Sequence, residues 1–205
     1  MNLKGIISKL YRLVHPVRNI GIGNTIEIFS KIKGVSIDVN GNNNLLWIGS
    51  DCIVNQCSIS INGDNNVLII EDKARILGGA HIIMDGNAMI KIGANAGVRK
   101  VDFLAKDAKI EIGELCMFSN NIIVRTHDSH KVIDSKSGGI VNKPKDVVLG
   151  RHVWIGQNVT ILKGCHIGDN SILALGATVT KSCPPNCIMA GSPAKIVKTE
   201  VTWDY

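Results

Sequence analysis

The 205-residue sequence is poor in aromatic side chains, which form 4% of it, and it contains only five prolines. So few aromatic rings do not make a platform on which nucleic-acid bases could stack, so no nucleic acid is expected as a partner. Apolar runs long enough to cross a bilayer are also missing. The start of the chain lacks the unbroken apolar core and cleavage site of a secretory signal, so we expect a cytoplasmic protein.

Charge is moderate. The formal net charge is +6, which favours anionic ligands without reaching the density typical of nucleic-acid binders. Phosphate groups of a cofactor, or a nearby anionic membrane, are the interpretations that fit this charge best.

A period of six residues dominates the stretch from Leu149 to Pro184. One column holds large aliphatic residues and a second, four positions later, holds compact ones. The first column is Leu149, Ile155, Ile161, Ile167, Leu173 and Val179, and the second is Val153, Val159, Cys165, Ser171, Ala177 and Cys183. Neither a helix nor a single strand has this period. It predicts a left-handed parallel β-helix, an all-β solenoid in which three hexapeptides close one coil.

Before Leu149, the same two columns recur with a longer and less regular period. The aliphatic anchors Ile48, Ile70, Ile92 and Ile112 are each followed four residues later by a small residue, namely Cys52, Ala74, Ala96 and Cys116. Because three hexapeptides make 18 residues and these anchors lie 20 to 22 apart, we expect extra residues at the corners of the early coils. The Asn- and Gly-rich segments at 42–44 and 62–66 are typical of such corners.

The cysteines follow this pattern. Four of the six lie in the compact column, which predicts buried, reduced thiols in a cytosolic protein. Cys187 has no assigned place. No CxxC pair is present, so we expect no metal site.

Three domains follow from these observations. Residues 1–20 form an N-terminal cap, with apolar residues at helical spacing from 3 to 15. Residues 21–188 form the solenoid, with a loop over 125–147, and residues 189–205 form a tail. The first segment is interpreted either as an amphipathic helix that caps the solenoid or as a basic helix on a membrane surface, and the two are compatible.

Residues 125–147 interrupt the six-residue period and are rich in Ser, Lys, Asp and Gly. A loop of this length inside a solenoid is usually functional or disordered. It carries two histidines, His127 and His130. An imidazole can take a proton from an attacking hydroxyl at neutral pH, so both are candidate bases.

Three motifs together carry a family resemblance: "DSH" in the loop, "VWIGQNVTILKGCHIGDNSILALGATVTK" at 153–181 and "PPNCIMAGSPAKIVK" at 184–198. They resemble the hexapeptide-repeat acetyltransferases, which include the galactoside and maltose acetyltransferases and those that modify capsule and O-antigen polysaccharides. The resemblance implies a homotrimer that binds acetyl-coenzyme A between subunits. It also implies acetyl transfer to a sugar hydroxyl in a surface polysaccharide.

The resemblance also assigns roles to residues. By its offset from Trp154, His130 is the general base, and Asp128 is a candidate to orient a histidine ring. His127 is the rival base, or a contact for the acceptor.

Cofactor contacts are implied at a further set of positions. Trp154 is expected in the groove, and Pro193 against the adenine. The remaining contacts are Gln157, Ala174, Leu175, Gly176, Thr180, Lys181, Lys195 and Lys198. Leu175 departs from the family pattern, which has a small residue there.

Alternatives stay open at this point. An N-acetyltransferase that acts on a nucleotide-linked amino sugar would use the same scaffold and cofactor, but the first 40 residues are too short for the nucleotide-binding domain that such enzymes often carry. A zinc-dependent carbonic anhydrase or a non-enzymatic scaffold would also fit a solenoid. Direct transfer is favoured over a cysteine acyl-enzyme because a nucleophilic thiolate must be exposed.

Overall fold

A computed structural model describes residues 17–204 of the chain, and every regular element in that range is a β-strand. The strands pair in parallel with neighbours about 20 residues away in sequence, so the chain winds into a solenoid with three faces. The predicted parallel β-helix is therefore confirmed. The predicted N-terminal helix lies outside the described residues.

Face A is a sheet of seven strands, ordered along the solenoid axis. Its strands are β2 (Thr25–Ile28), β4 (Leu45–Ile48), β6 (Val67–Ile70), β9 (Met89–Ile92), β12 (Lys109–Ile112), β15 (Val147–Leu149) and β18 (His166–Ile167).

Face B follows face A in each coil. Its strands are β7 (Arg75–Leu77), β10 (Gly97–Arg99), β13 (Met117–Phe118), β16 (Trp154–Ile155), β19 (Ile172–Leu173) and β21 (Cys187–Gly191), preceded by the first residues of β3 (Ile32–Asn40) and β5 (Ile53–Asn62). A last strand, β22 (Ala194–Thr199), pairs antiparallel with β21.

Face C completes each coil. It contains β1 (Val17–Ile20), the longer part of β3 and β5, β8 (Ala80–Asp85), β11 (Val101–Lys106), β14 (Ile122–Arg125), β17 (Thr160–Ile161) and β20 (Thr178–Val179). Strand pairing runs from Val17 to Thr199 and thus passes both domain limits drawn from the sequence at residues 20 and 188. The division into three domains stays a prediction.

The interior is filled by the two columns predicted from the sequence. All six aliphatic residues from Leu149 to Val179 are at most 2% exposed, and all six compact residues from Val153 to Cys183 are buried. Burying a large aliphatic side chain contributes roughly 1.5–3 kcal/mol relative to leaving it exposed. The repeated column is therefore the main source of stability, and each coil rests on its neighbours.

The extra residues of the early coils were expected at the corners, but most of them lie in face C, where the early strands are longer than the late ones. Strand β5 continues through the turn between faces B and C and spans ten residues, whereas β17 spans two. Its last residues alternate between buried and partly exposed positions, with Cys57, Ile59 and Ile61 inside. The predicted corners at 42–44 and 62–66 are present, with Asn43 and Asn65 at positive φ, except that Asn62 still belongs to β5.

A ladder of asparagines stabilises the corner between faces C and A. Asn44 and Asn66 are buried. Asn66 donates its backbone N–H and its Nδ2 to Oδ1 of Asn44 at 2.8 and 3.0 Å, and Asn44 bonds to Oδ1 of Asn24 in the same way. Oδ1 of Asn66 accepts from the Ala88 N–H at 2.9 Å. Each amide thus satisfies backbone groups of the next coil that would otherwise be buried without a partner.

Candidate active site

The loop that carries both candidate bases leaves the solenoid at the corner between faces C and A. It connects β14 to β15 and covers residues 126–146, as the interrupted period predicted. Its base is closed by a hydrogen bond from the Lys145 N–H to the Thr126 carbonyl at 2.9 Å. Thr126 is fully buried, and its Oγ1 accepts from the Lys106 N–H at 2.8 Å. The loop therefore starts and ends on the rigid framework.

The outer half of the loop is a small hairpin. Ile133 and Ile140 form an antiparallel bridge, and the Val141 N–H donates to the Val132 carbonyl at 3.0 Å. The Asp134 carboxylate accepts from the N–H and hydroxyl of Ser137, which holds the pKa of Asp134 below its ordinary value. Four apolar side chains remain exposed on this hairpin: Val132, Ile133, Ile140 and Val141.

A network of three side chains ties the inner half of the loop to the solenoid. Oδ2 of Asp128 accepts from Nδ2 of Asn142 at 2.8 Å and from Nζ of Lys163. Lys163 lies on the next coil, and its Nζ also donates to the Asn142 carbonyl at 3.0 Å. Asn142 donates Nδ2 to the His130 carbonyl at 2.8 Å, and its Oδ1 accepts from the Val132 N–H at 2.7 Å. One amide thus fixes the backbone on both sides of Lys131.

Asp128 is occupied by this network. The hydrogen bond from Lys163, followed by that from Asn142, lowers the pKa of Asp128 from its ordinary value. The carboxylate is therefore ionised at neutral pH and serves the loop anchor. The orienting role that the sequence suggested for the Asp128 side chain toward a histidine ring stays a prediction, because the hydrogen bonds of its carboxylate within residues 17–204 go to Asn142 and Lys163.

The two histidines differ in their surroundings. Nδ1 of His127 lies 3.0 Å from the Asp128 carbonyl, and a carbonyl oxygen can only accept. Nδ1 therefore carries the proton, which leaves Nε2 as the basic nitrogen of the neutral ring. His130 is exposed, and its ring makes no hydrogen bond within the described part of the chain. Its backbone is nevertheless held by Asn142.

The predicted cofactor residues fall into two groups. The first lies at the corner between faces B and C, where the Gly176 N–H donates to the Gln157 carbonyl at 2.8 Å. Leu175, beside them, is 70% exposed. Ala174 donates its N–H to Met189 of β21 at 2.8 Å, and the β21–β22 turn with Pro193 follows. No heavy atom lies within 4 Å of the position a Cβ would take at Gly176, so its backbone is open to close approach by a ligand.

The second group lies on the loop side of the solenoid. Thr178 and Val179 pair with Thr160 and Ile161, and in this register Lys181 lies one coil beyond Lys163. Thr180 and Lys181 are exposed. Lys195 and Lys198 lie apart from both groups, since they are exposed on β22 of face B, opposite Ala190 and Ile188.

Trp154 begins β16 on face B and is 45% exposed. Its neighbour is Trp203, with ring centroids 6.0 Å apart. Trp203 also stacks on His152 at 4.1 Å and donates Nε1 to the His152 carbonyl at 2.9 Å. No sequence pattern indicated a role for Trp203, because it lies in a polar tail without a repeat. Its contacts show that the tail folds back beside Trp154.

One chain does not bring these groups to a single point. His130 projects from the corner between faces C and A, Gln157 and Gly176 lie at the corner between faces B and C, and Trp154 lies on face B. Within residues 17–204 no group of three or more His, Cys, Asp or Glu side chains could hold a metal ion. In the same range, no helix has the length and apolarity to span a membrane.

A parallel solenoid of hexapeptides with a histidine-bearing loop defines the class of hexapeptide-repeat transferases. A family model described as "Bacterial transferase hexapeptide (six repeats)" matches residues 146–181. A polysialic acid O-acetyltransferase of Neisseria meningitidis is 36% identical over 187 residues, which cover 89% of the chain and 86% of that protein. The chain belongs to the hexapeptide-repeat acetyltransferases.

Two solved structures are similar over nearly the whole chain. The polysialic acid O-acetyltransferase OatWY superposes with a TM-score of 0.86 at 33% identity and covers 93% of this chain and 92% of that one. The polySia-specific acetyltransferase NeuO superposes with a TM-score of 0.81 at 30% identity, covering 93% and 89% respectively.

Proposed function

We propose that the protein is an acetyl-coenzyme A-dependent O-acetyltransferase that modifies a sugar hydroxyl in a surface polysaccharide. The observation that carries this proposal is the match to a polysialic acid O-acetyltransferase at 36% identity over 89% of the chain. The anchored histidine loop supplies the chemistry. Because the acetyl donor is a cytoplasmic metabolite, we place the reaction in the cytoplasm.

The active unit in this proposal is a homotrimer. The separation of His130 from Trp154 and Gln157 around one solenoid supports it, because a second copy can bring its loop to the groove of the first. The exposed apolar residues of the loop hairpin, Val132, Ile133, Ile140 and Val141, support it too. Apolar side chains that project together from a surface mark a contact with another protein.

His130 acts as the general base in this scheme. Its neutral imidazole takes the proton of the acceptor hydroxyl while the hydroxyl oxygen attacks the thioester carbonyl. Backbone N–H groups in the groove stabilise the oxyanion that forms. Collapse of this tetrahedral intermediate breaks the C–S bond, and the imidazolium returns its proton to the departing thiolate of coenzyme A. His127, with Nδ1 held by a carbonyl, contacts the acceptor.

None of the cysteines is suited to carry the acetyl group as a covalent acyl-enzyme. All six cysteines are free and buried, and burial raises the pKa of the Cys57 and Cys116 thiols to about 12. Since the thiolate is the nucleophile, transfer is direct.

Acetyl-coenzyme A lies along the corner between faces B and C in this proposal. The backbone of Ala174, Leu175 and Gly176 and the Gln157 side chain contact the pantetheine arm, and Pro193 packs against the adenine. Thr180 and Lys181 approach the cofactor from a neighbouring copy. The ammonium groups of Lys195 and Lys198 serve as point charges for its phosphates.

The test is an assay of coenzyme A release with polysialic acid as acceptor, followed by location of the acetyl group by mass spectrometry. His130→Ala should lower kcat by roughly 10²- to 10⁴-fold, the usual contribution of a general base, while His127→Ala keeps most of it. Circular dichroism and sedimentation confirm folding and trimer formation in both variants. If His127→Ala is the inactive variant, the base is misassigned. If the protein acetylates the amine of a nucleotide-linked amino sugar and no sugar hydroxyl, the alternative activity, that of an N-acetyltransferase, is established.

A further inference from the structure

Positive charge is distributed unevenly around the solenoid. At face A the lysines form ion pairs: Nζ of Lys91 lies 2.9 Å from Oε1 of Glu71, and Nζ of Lys109 lies 3.2 Å from Oε2 of Glu111. Face C carries Asp38, Asp85 and Asp102 among its basic residues. Face B and the corner that follows it contain no Asp or Glu in any coil, from Lys31 to Thr199. All charged residues on this side of the molecule are therefore basic.

Five of the basic residues of this side lie on the early coils and form what we call the basic strip. Its members are Lys31, Lys33, Arg75, Arg99 and Lys100. All five are exposed, and none forms an ion pair within the described residues. Five like charges held close together without counter-charges raise the energy of the free protein. Such a strip favours binding of an anion that spans several of them.

Strand register places the basic strip in line with the candidate active site. Ile53 pairs with Arg75, Arg75 with Gly97, Gly97 with Met117, and Met117 with Trp154. Lys31 precedes Ile53 in the same column. Neighbouring strands lie about 4.8 Å apart, so Lys31 and Trp154 are roughly 24 Å apart along the solenoid axis. A long ligand on the strip therefore runs directly to Trp154.

The surface between the charges suits an extended polymer. Gly78 and Gly79 lie between Arg75 and Lys100, and no heavy atom lies within 4 Å of the position of a Cβ at either residue. The backbone there is bare, so a sugar ring can approach closely. At the upper end, Met117 and the exposed ring of Trp154 offer apolar surface to the C–H face of a pyranose.

We propose that the basic strip binds a carboxylate-bearing polysaccharide several sugar residues long and guides it along face B to the site at Trp154. This inference rests on the proposed function and extends it by defining the acceptor as an anionic polymer and naming the face that holds it. Nucleic acid is disfavoured because β3, β7 and β10, the strands along the basic strip, contain no aromatic residue, whereas strand binding without base pairing relies on several stacking rings.

The experiment measures binding of polysialic acid to the full chain in the absence of acetyl-coenzyme A, at low and at high salt. The test variant is Arg75→Gln/Arg99→Gln. The matched control is Lys73→Gln/Lys106→Gln, which also removes two positive charges. Lys73 is exposed at the corner between faces A and B, and Lys106 is exposed on face C. Neutral dextran is the control probe.

We expect the test variant to bind polysialic acid about tenfold more weakly and the control variant less than twofold more weakly, since each exposed ion pair contributes little alone and the two add. Salt should weaken the wild type more than the test variant. The same variant should raise KM for the polymer and leave kcat on a one- or two-sugar acceptor unchanged.

Several outcomes would overturn the proposal. Equal losses in both variants would mean that net charge alone drives binding, and equal binding of dextran would mean that charge is irrelevant. A change in oligomeric state of the test variant would identify the strip as a contact between copies, and tighter binding of single-stranded DNA would identify a different partner. Because binding is measured without chemistry, a wild type that binds polysialic acid but acetylates nothing would refute the proposed function alone. A wild type that acetylates short acceptors but does not bind the polymer would refute the strip alone.

Discussion

The side chain of Asn142 holds the backbone of His130, since its Nδ2 donates to the His130 carbonyl at 2.8 Å. The same amide reaches Asp128 and Val132. Asn142 is therefore a positioning residue for the candidate base, even though it lies 12 residues away in the sequence. An imidazole that must meet a hydroxyl at hydrogen-bond distance depends on such support.

Replacement of Asn142 tests this relationship. Asn142→Ala should lower kcat by roughly 100-fold, the cost of displacing a reacting group by about 1 Å, with little change in KM for acetyl-coenzyme A. Ser135→Ala, an exposed change in the same loop, is the control and should leave kcat unaltered. An Asn142→Ala enzyme with the wild-type kcat would show that the His130 backbone needs no such support.

The ion pair between Lys163 and Asp128 makes the loop sensitive to acid. Because hydrogen bonds from Lys163 and Asn142 hold the pKa of Asp128 below its ordinary 3.8, the anchor is fully present above that value. It is lost as pH falls through the lowered pKa. Lys163→Met removes the larger cause, so amide protection of residues 126–146 should drop at neutral pH and fall further at a higher pH than in the wild type.

Hydrogen exchange followed by mass spectrometry across a pH series measures this protection. Lys143→Met, which alters an exposed lysine of the same loop, should keep the wild-type profile. Identical profiles for Lys163→Met and the wild type would refute the anchoring role of the ion pair.

The asparagine ladder predicts an unusual stability effect for a polar residue. Asn66→Ala removes the Oδ1 acceptor of the Ala88 N–H and the Nδ2 donor to the Gly86 carbonyl in a buried corner, and each buried group left without a partner costs about 1–3 kcal/mol. We expect a loss of about 3 kcal/mol in the free energy of unfolding, measured by urea denaturation. Asn87→Ala, an exposed change at the same corner of the next coil, should change the free energy of unfolding by less than about 0.5 kcal/mol. Equal effects at the two positions would contradict the ladder.

The thiols should be inert in the native protein. Desolvation raises the pKa of Cys165 and Cys183 to about 11 and that of Cys57 and Cys116 to about 12, so thiolate is scarce at pH 8. N-ethylmaleimide should label no cysteine and leave acetyl transfer intact, whereas all six react in guanidinium chloride. Labelling of one native cysteine together with loss of activity would argue for an acyl-enzyme instead.

The repeat and the loop were predictable from the sequence for a simple physical reason. A solenoid interior is the same in every coil, so the residues that fill it, such as Ile161 and Cys165, recur at a constant interval, and the loop appears where the interval fails. The ten-residue β5 also has a local signal, the alternation of Cys57, Ile59 and Ile61 with polar residues, which indicates a strand longer than one hexapeptide.

The loop anchor and the Trp203 contact were not predictable in the same way. Lys163 reaches Asp128 across 35 residues, and this contact exists only after the loop has returned to the solenoid. Trp203 reaches His152 across 51 residues from a tail without periodicity. Such contacts depend on the path of the chain in space, for which a one-dimensional pattern carries no information.

The antiparallel pairing of β22 with β21 has a consequence for assembly. Open ends of parallel solenoids present unpaired backbone groups on which another molecule could add its first coil and continue as a filament. Here the chain turns back after Gly191 and occupies that edge on face B with a strand of opposite direction and a register shift between Ile188 and Met189. Addition of a further parallel coil along the axis is thereby blocked on this face.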